Sequence, residues 1–217
     1  MTIEHLEILV EEPSMEVFLL GLLPALLKEV SFQVHSFQSK SDLLTKLPER
    51  LRGYRSWLPE SWRILVLVDR DRDDCKVLKS DLEAMATTAG LTTRSASRAR
   101  GESPATYSVV HRIVIEELEA WYFGDWSAVR KAFPRVSRRL QDQRPFRDPD
   151  AISGGTWEAF ERVLQRAGYF TTGLRKIEAA REIAPHIVPG RNRSNSFRQF
   201  FEVVSETIDP PSEAQGA

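Results

Sequence analysis

Cysteine is almost missing from this chain: Cys75 is alone among 217 residues. A single thiol excludes an internal disulfide framework and any cysteine-rich zinc site. No run of apolar residues reaches the roughly 20 that a membrane span needs. The most apolar stretch, 17–27, is eleven residues and already contains Gly21 and Pro24. The start, MTIEHLEILVEE, lacks a basic segment followed by a cleavable apolar one, so a cytoplasmic location without membrane contact is expected. No glycine-rich phosphate loop occurs, neither G-x-x-x-x-G-K-[ST] nor G-x-G-x-x-G, and the chain does not read as an ATPase. Excess charge of one sign is lacking too. Thirty Lys plus Arg against thirty-one Asp plus Glu leave a net −1, so a footprint for nucleic acid has to be local.

Against these absences stand 41% hydrophobic and 28% charged residues, a globular composition. A chain of this length buries roughly 70% of its unfolded surface, enough for a full core. Residues 3–11 (IEHLEILVE) and 31–37 (SFQVHSF) read as strands, the first with Glu4 and Glu7 facing solvent on a sheet edge. Between them Ser14 is placed to cap a helix that Pro24 should kink. A second helical pattern, 41–58, is expected to break near Pro48. Residues 63–69 (RILVLVD) are the clearest strand: five consecutive aliphatics describe a central strand buried on both faces. Asp73 or Asp74 then caps a helix that Gly90 ends, and 107–116 (YSVVHRIVIE) is a further strand. Strand–helix alternation predicts an α/β fold with a largely parallel sheet flanked by helices over 1–125. A helical C-terminal part over 126–208 should pack on it, with 209–217 a disordered tail.

Acidic residues recur where the expected strands end. Glu11 and Glu12 follow the first, Asp69 and Asp71 the central one, Glu116, Glu117 and Glu119 the last. In an open parallel sheet ligands bind beyond the carboxyl ends of the strands, where such acids would converge. Crowded carboxylates repel unless a cation compensates, and an oxygen-only set suits Mg²⁺ or Mn²⁺. Asp73 and Asp74 are read more simply as helix caps. His5, His35, His111 and His186 show no ligand spacing and are read as structural, and Cys75 as a small packed residue. Residues 130–147 carry a local charge of +6, and Arg191, Arg193 and Arg198 form a second basic cluster. A phosphate-contacting surface through Arg135, Arg138, Arg139, Arg191 and Arg193 and a solvated helix face are equally open readings.

LVEEPSMEVFL (9–19) resembles the L-V-E-G-x-[ST]-E-x-x-F-L opening of Toprim-like proteins. VLVDRDRDDC (66–75) resembles their aliphatic strand with D-x-D. IVIEELEAWYFGD (113–125) is similar to the I-x-x-E-L-E-A-W segment of a bacterial Toprim-like family of unknown function. That family is related to the nucleases of the overcoming-lysogenization-defect group, and its members are commonly encoded beside ABC/AAA-type ATPases. The resemblance implies a Toprim-like, Rossmann-like fold, a Mg²⁺- or Mn²⁺-dependent nuclease, an ATPase partner and a place in phage defence. It assigns Glu11 as ligand or general base, and Asp69, Asp71 and Glu119 as metal ligands. Lys176 would be the cation beside the scissile phosphate. Glu12, Glu16, Asp73, Glu116, Glu117 and Asp125 are further candidates. Where the opening usually has glycine this chain has Glu12, which keeps a rival open: a Toprim-like binding module docked on an ATPase without turnover. The oligomeric state and the choice of DNA or RNA are not written in the sequence.

Overall fold

A computed structural model describes residues 2–71, 73–102 and 106–209. Of the expected disordered tail, 210–217 lie outside the described residues. Four strands, β1 (His5–Val10), β2 (Ser31–Ser36), β3 (Trp62–Asp69) and β4 (Val109–Val114), form one sheet in the order β2-β1-β3-β4. Each neighbouring pair is parallel. The chain is α/β. Helix α1 (Pro13–Leu27) joins β1 to β2, and α2 (Lys40–Trp57) joins β2 to β3. Helices α3 (Cys75–Thr88) and α4 (Arg94–Ala99) lead from β3 to β4.

The run Ile64–Val68 explains the layering. All five residues are at most 2% exposed, and their period-two alternation sends them to opposite faces. Leu65 and Leu67, with Leu6, Ile8 and Val10, join the core under α1. Ile64, Val66 and Val68 join the core that Leu43, Leu47 and Leu51 of α2 and Leu78 and Leu82 of α3 complete.

Three local expectations are corrected. Glu12, not Ser14, occupies the N-cap position of α1, with Pro13 at the first helical position. Proline suits that place because its missing N–H would be unsatisfied there anyway. Helix α2 runs unbroken through Pro48, since its buried stripe Leu43, Leu47, Leu51 and Tyr54 outweighs one lost backbone bond. Strand β1 is interior, paired with both β2 and β3, so Glu7 is not on an edge. Glu7 is buried and bonded to Tyr54 Oη at 2.6 Å, His35 Nε2 at 2.7 Å and His5 Nε2 at 3.2 Å.

The C-terminal helices α5 (Leu118–Gly124), α6 (Trp126–Ala132), α7 (Thr156–Arg166), α8 (Lys176–Ile183) and α9 (Asn195–Ile208) add their apolar faces to the α1 side. Trp121 stacks on Phe200 with ring centroids 4.9 Å apart, and Phe18 of α1 packs on Tyr122. Gly21 lets α1 approach the end of α8: a Cβ there would lie 2.8 Å from the Ala184 Cβ. This packing brings Lys176, at the start of α8, to the start of α1.

Candidate metal and phosphate centre

Strands β1, β3 and β4 run in parallel, so their carboxyl ends open on one side of the sheet. Each delivers acids there. Glu11 follows β1, and its Oε2 accepts from the Asp69 backbone N–H at 3.2 Å. Asp69, the last residue of β3, is 7% exposed, and Glu119, in the first turn of α5, is 1% exposed. Among the described residues, Glu119 Oε2 is buried without a hydrogen-bond partner.

Burial pushes the Asp69 carboxyl well above its ordinary range, and Glu11, Glu12, Glu119 and Asp71 push it further. Burial, then Asp71, pushes Glu11 up to about 7, against the opposing pull of Lys40. Burial also raises Glu119 to about 7, where Glu12 and Glu117 add to it and Lys176 opposes. These mutual influences mark one electrostatic cluster. Lys176 is its cation: burial alone would lower its pKa, but Glu119, Glu12, Glu117 and Asp69 hold it raised. Its Nζ lies 3.5 Å from Glu12 Oε2, and Ser14 Oγ donates to the other oxygen of Glu12.

Asp71 acts on Glu11 and Asp69 and so belongs to the same electrostatic group, while the other candidates are held by partners of their own. Asp71 stands in the left-handed backbone region at φ 49° and pairs with Lys40 at 2.7 Å. Lys40 Nζ also reaches Asp73 at 2.9 Å and the Arg70 carbonyl at 3.1 Å, tying the β3 exit to the start of α2. Glu116 pairs with Arg70, and Glu16 accepts from Ser36 Oγ. Glu117 accepts from Thr156 Oγ1 at 2.7 Å and Trp157 N–H at 2.9 Å, fixing the start of α7. Asp125 caps α6 and pairs with Arg191 at 2.7 Å, at the far end of α5. Two residues escaped the sequence reading. Lys40 is 31 positions from Asp71 and carries no motif. Tyr122, one helical turn beyond Glu119, places a buried hydroxyl with no partner among the described residues beside the cluster.

Among the described residues no three His, Cys, Asp or Glu side chains stand together as a ready ligand set. The donor chemistry nonetheless fits a hard divalent cation: the donors are all carboxylate oxygens, and Glu119 Oε2 is a buried acceptor with no donor among the described residues. Glu11, Glu12, Asp69 and Glu119 are the carboxylates that could hold such an ion.

The arginines also separate. Arg135 lies over the Tyr169 ring at 4.2 Å and donates to the Gly168 carbonyl at 2.8 Å, a packing position. Arg138 and Arg139 are exposed. Arg193 donates to the carbonyls of Phe146 and Arg147. No helix among the described residues is long and apolar enough to cross a membrane.

A family model described as "Domain of unknown function (DUF4276)" matches residues 10–205. No curated protein sequence matches the chain. Among solved structures, the C-terminal region of the Xanthomonas campestris pv. campestris OLD protein is 17% identical with a TM-score of 0.48. That match covers 94% of this chain and 95% of the other. The C-terminal region of the Burkholderia pseudomallei OLD protein is 16% identical, also at 0.48, over 96% and 100% of the two chains.

Proposed function

The chain belongs to the DUF4276 family, whose description assigns no activity, and we propose that it is a Toprim-like, Mg²⁺- or Mn²⁺-dependent nuclease. One observation carries the reading: Glu11, Glu12, Asp69 and Glu119 form a single cluster beyond the carboxyl ends of a parallel sheet, with Lys176 as its cation. Bound divalent metal supplies there a Lewis acid for the phosphate and a more acidic bound water. Asp69 and Glu119 are the buried ligands. Glu11, beside Asp69 and Asp71, is the ligand or the general base of the set. Lys176, on the helical side, offsets charge that develops on the phosphate oxygens. Asp71 completes the ligand set, with Lys40 holding one of its carboxylate oxygens at 2.7 Å.

A second reading, a docking module on an ABC/AAA-type ATPase, has one observation in its favour. Glu12 stands where Toprim-like openings carry glycine, and it engages Lys176, the cation the first reading assigns to phosphate. A cleavage assay on single- and double-stranded DNA and RNA with Mg²⁺ or Mn²⁺ separates the two. The nuclease reading expects metal-dependent products that Asp69→Asn and Lys176→Met both suppress. Absence of products across substrates and metals, with Glu12→Gly also inactive, supports the docking module.

A further inference from the structure

We propose that a cavity at the C-terminal end of α5 is a phosphate-binding pocket that anchors the backbone of a nucleic-acid strand beside the carboxylate cluster. The cavity encloses about 260 Å³, and its polar lining includes Arg130, Arg138, Arg191, Arg193, Ser127 and Gln141. Four arginines therefore line one small space. The one acid in that lining, Asp125, is already fully engaged. Its Oδ1 accepts from Ala128 N–H at 3.2 Å and Arg191 Nε at 2.7 Å, its Oδ2 from Val188 N–H at 2.9 Å and Arg191 Nη2 at 2.8 Å. It offsets the charge of Arg191 and no more.

Three cations are left over. Arg130, Arg138 and Arg193 make no ion pair among the described residues. Arg193 is held in place by main-chain carbonyls of Phe146 and Arg147, which orient its guanidinium without cancelling its charge. Arg130 Nε is buried and has no hydrogen-bond partner among the described residues. A buried donor without an acceptor and three unmatched charges share the need for one anion rich in acceptor oxygens. Arginine forks bind phosphate oxygens in pairs, and Ser127 and Gln141 add neutral donors. The cavity has room for a phosphate group with its water, and its lining offers one indole, Trp126, whose Nε1 is committed to the Ser137 carbonyl at 2.7 Å. It holds a phosphate, not a base.

Position links the pocket to the cluster. Glu119 and Gly124 lie at opposite ends of α5, five residues apart, about 7 Å along the helix axis. That is on the order of the spacing between successive phosphates along one extended strand. A strand whose scissile phosphate meets the carboxylates can therefore place a nearby phosphate in the pocket; this link rests on the proposed function, whereas the anion site stands without it.

The test is binding without added metal, in EDTA, so that the carboxylate cluster takes no part. Thermal shifts with inorganic phosphate and anisotropy of a labelled single-stranded oligonucleotide, with and without a 5′-phosphate, are compared for wild type, Arg138→Ala, Arg138→Glu and Asp69→Asn. Arg138 is exposed, so its variants should melt with wild type in phosphate-free buffer. Expected are an upward shift with phosphate that Arg138→Glu removes, and oligonucleotide affinity reduced roughly tenfold by the same change. In Arg138→Ala, which gives up one phosphate, the slope of log affinity against log salt should fall in magnitude by roughly 0.7. Asp69→Asn should not lower the affinity. A loss confined to 5′-phosphorylated oligonucleotide upholds the pocket as a strand-end site, and an equal loss with both upholds it as an internal-phosphate site. Phosphate protection without oligonucleotide binding overturns the strand assignment. Unchanged protection, affinity and slope in Arg138→Glu overturn the pocket itself.

Discussion

Glu119→Gln tests the electrostatics of the cluster through stability alone. Glu119 is 1% exposed, and its carboxyl is raised from 4.5 to about 7 by burial and its acidic neighbours. The unfolded chain releases this proton near 4.5, the folded one only near 7. Between those values the folded state binds more protons, so stability falls as pH rises through the window and the loss is complete above about 7. A shift of about 2.5 units corresponds to about 3 kcal/mol. Glutamine is nearly isosteric and does not titrate. At pH 5 most of that penalty is absent, so variant and wild type should melt close together. At pH 8 the variant should be more stable by about 2–3 kcal/mol, which for a chain of this size is roughly 5–10 °C in Tm. Adding Mg²⁺ at pH 8 should narrow the gap, because metal that binds only the folded wild type stabilises it by mass action. Thermal melts at pH 5, 6, 7 and 8, with and without Mg²⁺, suffice. A gap that does not change with pH refutes the reasoning, since it would mean that Glu119 titrates alike in both states.

Other perturbations probe the surroundings. Tyr122→Phe removes a buried hydroxyl that has no partner among the described residues, so melts should show no loss and a gain of up to about 1–2 kcal/mol; a clear loss would reveal a bond. Glu7→Ala strips the acceptor from Tyr54, His35 and His5 under α2, and denaturant unfolding should show a loss of about 2–4 kcal/mol. Gly124→Ala would put a Cβ 2.0 Å from Asn192 Oδ1 and 2.9 Å from the Ser194 backbone nitrogen. The junction must move, and a Tm lowered by several degrees is expected, whereas Gly53→Ala, with nothing near its Cβ, should be tolerated. Lys40→Met frees Asp71 and Asp73, so metal affinity should change while the melt in EDTA moves little; an unchanged affinity would place Asp71 outside the ligands.

What the sequence made legible was local. Ile64–Val68 announced a strand buried on both faces, because five consecutive aliphatics leave neither side of an extended chain fit for water. Asp73 and Asp74 were both readable as caps; Asp74 is the one, its Oδ1 accepting from the N–H groups of Lys76 and Val77, while Asp73 pairs with Lys40. Long-range pairing was not legible. Glu7 looked like a solvent-facing charge because its partners Tyr54 and His35 lie 47 and 28 residues away, and strand order decides whether β1 is an edge. Pro48 misled, since a continuous apolar stripe carries α2 through it. In the basic run the count of charges was visible but their direction was not. Arg135 turns to Tyr169, while Arg130, counted in the run but not singled out, lines the cavity with Arg138, Arg191 and Arg193. The acids at the strand ends could be proposed to meet from the parallel topology alone. Lys40 could not, because only the closing of α2 against the β3 exit brings it to Asp71.

The central claim is that the carboxylates beyond β1, β3 and β4 hold a divalent ion. Titration of Mn²⁺ into the protein at about pH 7.5, followed by loss of the free-ion electron paramagnetic resonance signal, addresses it without any substrate. Saturable uptake of one or two ions is predicted for wild type, lost or weakened at least tenfold in Asp69→Asn and in Glu119→Gln and retained in Asp125→Asn. Wild type that leaves Mn²⁺ free at millimolar concentration, or variants that bind as it does, would contradict the account.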